Sequence, residues 1–322
     1  MTNIFEFLQN HFYITFVIGV AMLILGGHLL VEGSVVIAKK LGVSTLVIGL
    51  TIVAFSTSSP ELALNIIASM NNHGSLCLGN IFGSNIANIG LVLGIGALIC
   101  KLPVTGQVVK KEFPWLIFAT CLVGFAAALL PTLNLALGIC LLILFAFLMR
   151  HWFALGKDKN SKVGEQSDDV VPDVACSATT AIAMLIFGLV LLTLGGKATE
   201  IGAVTSAIHF GMSEILVGST IVAIATSLPE VVTTIIAAKK KHPDLAVGNV
   251  VGSNIFNILL VLPITIFVNP IQAPENVLFY ALTMIGMTVL AYFLTLDYRL
   301  KRKEGGILIA LYIAFLIGSA FI

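Results

Sequence analysis

The segment TIVAFSTSSPELALNII, which runs from Thr51 to Ile67, occurs a second time as TIVAIATSLPEVVTTII, from Thr220 to Ile236. The two copies align without a gap at an offset of 169 residues. The register continues into the next segment, where GNIFGSNIANI from Gly79 matches GNVVGSNIFNI from Gly248. Matches of this length indicate that the chain contains two copies of one structural unit.

The composition around these segments is that of an integral membrane protein. Of the 322 residues, 58% are hydrophobic and 10% are charged, and the mean hydropathy is +1.06. Apolar runs near the ~20 residues that a membrane-spanning helix needs recur along the chain, whereas strands of a membrane barrel would alternate over about ten residues. We therefore expect an all-α integral membrane protein with ten transmembrane helices, whose predicted cores are residues 12–37, 45–70, 76–100, 113–130, 132–150, 176–206, 213–238, 245–268, 276–296 and 305–322.

The distribution of basic residues predicts the orientation in the membrane. Of the 17 Lys and Arg residues, all except Lys197 fall in connections that follow odd-numbered predicted helices. The positive-inside rule places those connections in the cytoplasm. We therefore expect a multi-pass protein of the plasma (inner) membrane with both termini extracytoplasmic. Lys197 is expected to snorkel or to pair with Glu200.

The two copies divide the chain near its midpoint. Residues 1–155 form the first predicted five-helix repeat, residues 156–173 a polar cytoplasmic linker, and residues 174–322 the second repeat. Because five is an odd number, the second repeat must lie upside down relative to the first. Inverted repeats are typical of secondary transporters, whose substrate sites lie near the bilayer midplane where the repeats meet.

A glutamate lies near the middle of the second predicted helix, Glu61, and another near the middle of the seventh, Glu230. A charged side chain at that depth costs about 3 kcal/mol on insertion scales and usually serves a function. Pro60 and Pro229 lack an amide hydrogen, so each also frees the backbone carbonyl oxygen four residues earlier. Free backbone groups at membrane depth are tolerated where they line a cavity or are buried in protein.

Hydroxyl and amide side chains accompany both glutamates. In each repeat a Thr and a Ser lie four and three residues before the glutamate, on the same helical face. These residues are Thr57 and Ser58 in the first repeat and Thr226 and Ser227 in the second. One face of each following helix carries three polar residues spaced four apart: Asn80, Ser84 and Asn88, and Asn249, Ser253 and Asn257.

All of these groups offer oxygen atoms, and none of them is a His or a Cys. Oxygen-only sites suit hard cations, and Ca²⁺ takes about six to eight oxygen ligands, often including carboxylates. Two facing glutamates repel each other unless a cation or a proton lies between them. We therefore interpret Glu61 and Glu230 as the charged poles of one central cation site, to which each repeat contributes half.

These motifs resemble the paired signatures of the sodium/calcium exchanger family, within the cation/calcium exchanger superfamily, and in particular those of its short prokaryotic members. The resemblance covers essentially the whole chain. It implies exchange of three Na⁺ for one Ca²⁺ by alternating access, with helices 1 and 6 sliding over the rest. The Ca²⁺ ligands that it implies are Thr57, Glu61, Thr226 and Glu230, and the Na⁺ ligands are Ala54, Ser58, Ser84, Ala223, Ser227 and Ser253. Asn88 and Asn257 would line the same central site.

The chain departs from the family pattern at two kinds of position. The glycine of the signature is replaced by Ser56 in one repeat and by Ala225 in the other, which is expected to stiffen the bend. Asn88 and Asn257 are both neutral, whereas potassium-dependent relatives carry an aspartate at the second of these positions. Asn257 therefore argues against K⁺ co-transport.

The residues leave alternatives open. A Ca²⁺/H⁺ antiporter would use the same paired glutamates with protons in place of Na⁺, and a passive cation channel could share the polar lining. An enzyme is not expected, because an intramembrane hydrolase would need a nucleophile with a base or a metal with nitrogen ligands. We expect Ca²⁺ and Na⁺ as transported ions, the lipid bilayer as surroundings, no cofactor, no protein partner and, at a net charge of +1, no nucleic-acid partner.

Overall fold

The computed structural model of the chain describes residues 7–157, 176–211, 223–319 and 321. Within these ranges the chain is helical almost throughout. The helices, numbered in chain order, are α1 (Phe12–Leu41), α2 (Thr45–Thr57 and Ser59–Met70), α3 (Gly74–Ile99), α4 (Val108–Leu129), α5 (Leu135–Lys157), α6 (Ala178–His209), α7 (Ala223–Thr226 and Leu228–Lys239), α8 (Pro243–Val268), α9 (Val277–Leu294) and α10 (Arg302–Ser319). The connections contain two-residue strands, namely β1 (Leu102–Pro103), β2 (Thr132–Leu133), β3 (Ile271–Gln272) and β4 (Arg299–Leu300).

Seven of the described helices are long and apolar enough to cross a membrane, and the bent α2 makes an eighth. The prediction of an all-helical, multi-pass membrane protein is therefore confirmed. The predicted first half of α7, residues 213–222, lies outside the described residues, as does most of the predicted linker, from 158 to 173. The remaining helix, α10, is not among these eight and begins with three charged residues, at 302–304.

Most helices begin or end within three residues of the predicted bounds, and the larger differences are in α1, α4 and α5, which ends at Lys157 instead of residue 150. α1 continues to Leu41 instead of residue 37, with Lys39 and Lys40 in its last turn, where basic side chains favour the helix dipole. Gly42 then ends the helix in the left-handed conformation, with a φ of 64°. α4 begins at Val108 instead of residue 113, because a π-helical turn precedes its regular part.

α1 and α6 pack against each other along their length through glycines that recur every seven residues. A Cβ atom added at Gly26 would lie 2.9 Å from the Gly188 carbonyl oxygen, and one added at Gly195 would lie 2.8 Å from the Leu23 amide nitrogen. A side chain does not fit between backbones that approach this closely. The two helices therefore form one tightly packed pair, which we call the α1/α6 pair.

Two short β-ribbons join the halves of the chain. β1 pairs antiparallel with β4, and β2 pairs antiparallel with β3. β1 and β3 each follow the third helix of their repeat, and β2 and β4 each follow the fourth. Each ribbon therefore joins a strand of one half to the non-equivalent strand of the other, as two similar halves related by a two-fold axis would do.

The first part of α2 packs closely on the first part of α8. A Cβ atom added at Gly252 would lie 2.7 Å from the Ala54 Cβ atom and 2.7 Å from the Leu50 carbonyl oxygen. This close approach brings the hydroxyl face of α2 next to the polar face of α8, and so positions the candidate site.

Candidate cation site

The middle of α2 and the middle of α7 are interrupted at equivalent serines. α2 bends by 44° between Thr57 and Ser59. Ser58 at this break has φ and ψ of −86° and 1°, and Ser227 has −91° and 3°, so neither continues the regular helix. A proline lies in the first turn of each following segment, where it requires no hydrogen-bond acceptor. The helices thus break where the two prolines are expected to free backbone carbonyls.

Glu61 and Glu230 lie in the first turns after these breaks. Glu61 is 3% exposed and Glu230 is completely buried, and the two carboxyl groups interact electrostatically. Within the described part of the chain, none of their four carboxyl oxygens has a hydrogen-bond partner. Buried carboxylates without partners are unstable unless a cation or a proton neutralises them. A cation bound at these carboxyl groups would neutralise both, so they form the candidate cation site.

The Thr57 hydroxyl links the two halves at this site. Its Oγ1 atom lies 3.1 Å from Asn249 Oδ1 and 3.1 Å from Ser253 Oγ, both on α8. The same atom lies 3.3 Å from the carbonyl oxygen of Ala54 on its own helix. Thr226, its counterpart, is half-buried in the turn before Ser227. The structure therefore brings one predicted Ca²⁺ ligand and one predicted Na⁺ ligand, from different repeats, into direct contact.

Asn88 and Asn257 occupy equivalent positions at the start of π-helical turns, Asn88–Leu93 and Asn257–Val261. Both side chains are 1% exposed, and both of their amide groups lack partners among the described residues. π-Helical turns inside α-helices are frequent at functional sites. The two asparagines therefore present polar atoms that only a ligand or water could satisfy.

The other predicted Na⁺ ligands are nearly all buried in the protein interior. The exposed fraction is at most 5% for Ala54, Ser58, Ser84, Ser227 and Ser253. The hydroxyls at positions 58 and 227, which lie at the two helix breaks, have no hydrogen-bond partner in the described ranges. Ala223 begins the helical turn Ala223–Thr226, so its backbone lies four residues before Ser227, as Ala54 lies before Ser58.

Two further polar residues support the site and are absent from the sequence-based prediction. Asn65 Nδ2 donates to the Glu61 carbonyl oxygen and to Asn80 Oδ1, both at 2.7 Å. At the equivalent place in the other repeat, Asn249 Nδ2 donates to Thr234 Oγ1 at 3.1 Å. Asn65 and Thr234 lie four residues after the two glutamates, so the helical spacing that identifies the hydroxyls could also have identified them.

This arrangement can hold a hard cation. Two carboxylates supply the charge for a divalent ion, while hydroxyl, amide and backbone oxygens complete an oxygen shell. The same carboxylates could be neutralised by smaller charges, either monovalent cations or protons. Competition for one set of oxygens would then couple the movement of one ion to that of another.

Comparison with known proteins identifies the family. The model of the family described as sodium/calcium exchanger protein matches residues 11–153 and 180–321. The chain is 36% identical over 307 residues to the putative antiporter CaxA of Alkalimonas amylolytica, covering 92% of this chain and 95% of that protein. It is 31% identical to the sodium/calcium exchanger MaX1 of Methanosarcina acetivorans, covering 95% and 97%.

A solved structure has the same fold. The sodium-calcium exchanger NCX_Mj, soaked with Na⁺ and Sr²⁺, superimposes with a TM-score of 0.80 at 30% sequence identity, over 96% of this chain and 97% of that one. Family match, relatives and fold agree over nearly the whole length. The chain therefore belongs to the sodium/calcium exchanger family of membrane antiporters.

Proposed function

We propose that the chain exchanges Na⁺ for Ca²⁺ across the plasma (inner) membrane by alternating access and that it exports Ca²⁺. The observation that carries this proposal is the pair Glu61 and Glu230, two buried carboxylates from equivalent positions whose oxygens lack partners among the described residues. Sodium as the counter-ion is supported by the names of MaX1 and NCX_Mj, which are both sodium/calcium exchangers. Thr57, Thr226 and the two glutamates would bind Ca²⁺, and the hydroxyl and backbone oxygens around them would bind Na⁺.

The proposed topology has ten membrane spans in two inverted five-helix repeats, with both termini extracytoplasmic. The exchange of partners in the two β-ribbons supports the two-fold relation. The clustering of Lys and Arg in alternate connections supports the orientation. In this proposal Ca²⁺ and Na⁺ are cargo, and the protein has no enzymatic activity and no resident cofactor.

Exchange of three Na⁺ for one Ca²⁺ would move one net charge in each cycle. One charge moved across the membrane corresponds to about 2.3 kcal/mol per 100 mV. An inside-negative potential would therefore add to the Na⁺ gradient in driving Ca²⁺ out of the cell.

The proposal is tested by ⁴⁵Ca²⁺ uptake into proteoliposomes that are loaded with Na⁺ and diluted into Na⁺-free buffer. We expect uptake by the parent, and an uptake rate at least about 100-fold lower in Glu61→Gln and in Glu230→Gln, because each variant removes one of the two negative charges that balance Ca²⁺. Glu275→Gln is the matched control, since this carboxylate is exposed and lies outside the site. Valinomycin with a K⁺ gradient, which sets the membrane potential, should change the initial rate if exchange is electrogenic.

Other outcomes identify other functions. Uptake that follows an imposed pH gradient and ignores Na⁺ would indicate the Ca²⁺/H⁺ antiporter, with protons on the same two glutamates. Uptake that needs no counter-ion gradient would indicate a passive channel. Full activity in either glutamate variant would exclude the central site as described.

A further inference from the structure

The hydrogen bonds at the candidate site form a chain that continues beyond the predicted ligands. Asn249 is completely buried; its Oδ1 atom accepts from Thr57 Oγ1, and its Nδ2 atom donates to Thr234 Oγ1, both at 3.1 Å. This series of hydrogen bonds therefore runs from Thr57, a predicted Ca²⁺ ligand in the first repeat, to Thr234 in the second.

Counting protons shows what this chain does. A hydroxyl has one proton and two lone pairs. The Asn249 oxygen lies 3.1 Å from Thr57 Oγ1 and the Ala54 carbonyl oxygen 3.3 Å, so we assign the Thr57 proton to Asn249. With that assignment, Ser253 is the donor in the 3.1 Å bond between the two hydroxyls.

With Ser253 added before Thr57, all protons of this hydrogen-bond chain point in one direction: from Ser253 to Thr57, from Thr57 to Asn249, and from Asn249 to Thr234. Thr57 keeps one lone pair free, and Ser253 keeps two. A cation binds to lone pairs and is repelled by hydroxyl protons. In this polarity both hydroxyl protons are held by protein acceptors, and three lone pairs remain for a cation, one more than in the reversed polarity.

Asn80, the counterpart of Asn249 in the first repeat, has the opposite orientation. Asn65 Nδ2 donates to the Glu61 carbonyl oxygen, which can only accept, so this end of Asn65 must be its amide nitrogen. The same nitrogen lies 2.7 Å from Asn80, which must therefore present its oxygen to Asn65. Asn249 presents its nitrogen to Thr234, whose hydroxyl oxygen can accept, whereas the Asn65 nitrogen can only donate.

We propose that Asn249 and Thr234 are positioning residues for cation binding, and that Thr234, by accepting from the Asn249 nitrogen, allows the Asn249 oxygen to face Thr57. With the Asn249 oxygen facing Thr57, the protons of Thr57 and Ser253 are held away from the ion. This inference rests on the proposed function, since it takes these two hydroxyls to be ligands. It also offers a reason why the two repeats have different residues, Asn65 and Thr234, at this equivalent position.

The decisive variant is Thr234→Asn, which gives the second repeat the arrangement of the first. The new amide nitrogen would donate to the Glu230 carbonyl and to residue 249, and so turn the Asn249 oxygen away from Thr57. We expect about tenfold weaker apparent Ca²⁺ affinity with a smaller change in the maximal rate, as for loss of one hydrogen bond to a charged ligand shell. Thr234→Ser is the matched control, and it should keep the parent affinity because it retains the hydroxyl.

A double variant separates positioning from a general packing defect. In a Thr57→Val background the hydroxyl to be oriented is absent, so we expect Thr234→Asn to cause a much smaller further loss of Ca²⁺ affinity. If Thr234→Asn does not reach the membrane, Thr234→Val serves instead, since it removes the acceptor with nearly the same shape and should weaken Ca²⁺ in the same direction.

Equilibrium Ca²⁺ binding to the purified protein is measured beside Na⁺-driven uptake, so that the two proposals fail separately. Equal Ca²⁺ affinity in Thr234→Asn and Thr234→Ser would overturn the inference. An undiminished tenfold loss in the Thr57→Val background would also overturn it. A parent that binds Ca²⁺ but shows no Na⁺-driven uptake would contradict the proposed function and leave the comparison of affinities valid.

Discussion

The second segment of α2, Ser59–Met70, and the second segment of α7, Leu228–Lys239, occupy equivalent places in the two repeats and have different surroundings. Ile67 on α2 is 61% exposed, whereas its counterpart Ile236 on α7 is 7% exposed. Because the two side chains are identical, the difference comes from what packs against them and not from their chemistry.

The α1/α6 pair accounts for the difference. A Cβ atom added at Gly27 on α1 would lie 2.7 Å from Ile236 and 3.0 Å from Val232, so α1 is in close contact with α7. A Cβ atom added at Gly196 on α6, the counterpart of Gly27, would lie 3.5 Å from its nearest neighbour, the Cγ atom of Pro229 on α7. The pair is thus packed against the second segment of α7, and the equivalent contact with α2 is not made in the described structure.

This asymmetry distinguishes the two ends of the molecule. The covered segment of α7 ends at the lysine-rich connection, which is cytoplasmic in the proposed topology. In that topology the α1/α6 pair covers the cytoplasmic half of α7, and the less covered second segment of α2 lies on the extracytoplasmic side. If α1 and α6 move as one body, covering α2 would require uncovering α7, and the proposed alternating access would rest on that exclusion.

The largest effect is expected when the α1/α6 pair itself is disrupted. Gly195→Leu would place a side chain where a Cβ atom already meets backbone at 2.8 Å. Overpacking against backbone at this distance should cost about 3 kcal/mol or more. We expect transport to be lost and the melting temperature in detergent to fall, since neither α2 nor α7 can then be covered.

Gly286→Leu on α9 is the control, because Gly286 is exposed and no described atom lies within 4 Å of an added Cβ atom there. This variant should melt and transport like the parent. Parent-like behaviour of Gly195→Leu would show that close packing of α1 on α6 is not required.

A second prediction measures the asymmetry directly. In a background without the five native cysteines, Ile67→Cys and Ile236→Cys are treated with a membrane-impermeant thiol reagent in open membranes. We expect Ile67→Cys to react at least about tenfold faster, because a thiol must reach solvent to be modified. Equal rates at the two positions would contradict the described difference in coverage.

The smallest effect is expected at an ion pair that can form at only one of two equivalent places in the repeats. Lys240 donates to Glu32, which joins α1 to the end of α7. The repeat counterparts of these residues are Asn71 and Ile201, which cannot form an ion pair. Both charged side chains are partly exposed, so the pair is worth at most about 1 kcal/mol, or about a fivefold change in population.

Glu32→Gln should therefore raise the labelling rate of Ile236→Cys by about two- to fivefold, as the covered segment of α7 is uncovered more often. Lys197→Gln is the control. Lys197 Nζ lies 2.8 Å from Glu200 Oε1, as the sequence predicts, but both residues belong to α6 and move together. An equal rise in both variants would show that loss of a surface charge, and not of the link between α1 and α7, is responsible.

Much of the candidate site could be predicted from local spacing. Glu61 and Glu230, the hydroxyls before them and the asparagines of α3 and α8 follow from helical periodicity, because residues three or four apart share a face. The breaks at Ser58 and Ser227 follow from the adjacent prolines. These features depend on intrahelical geometry, which a linear sequence contains.

The pairing of distant elements could not be predicted in this way. The β-ribbon of Leu102 with Leu300 joins residues far apart in the chain, and two-residue strands have too little periodicity to be recognised. The orientation of the Asn249 amide likewise depends on which atom of a neighbouring helix it meets.

The sequence by itself determined the membrane class, the internal repeat and the oxygen-rich set of candidate ligands, because composition, alignment and helical spacing are local properties. Only the tertiary structure decided which copy of the repeated segment is covered by the α1/α6 pair. Two nearly equivalent packings of one chain differ by small free energies, and these arise from contacts between helices that the order of residues does not specify.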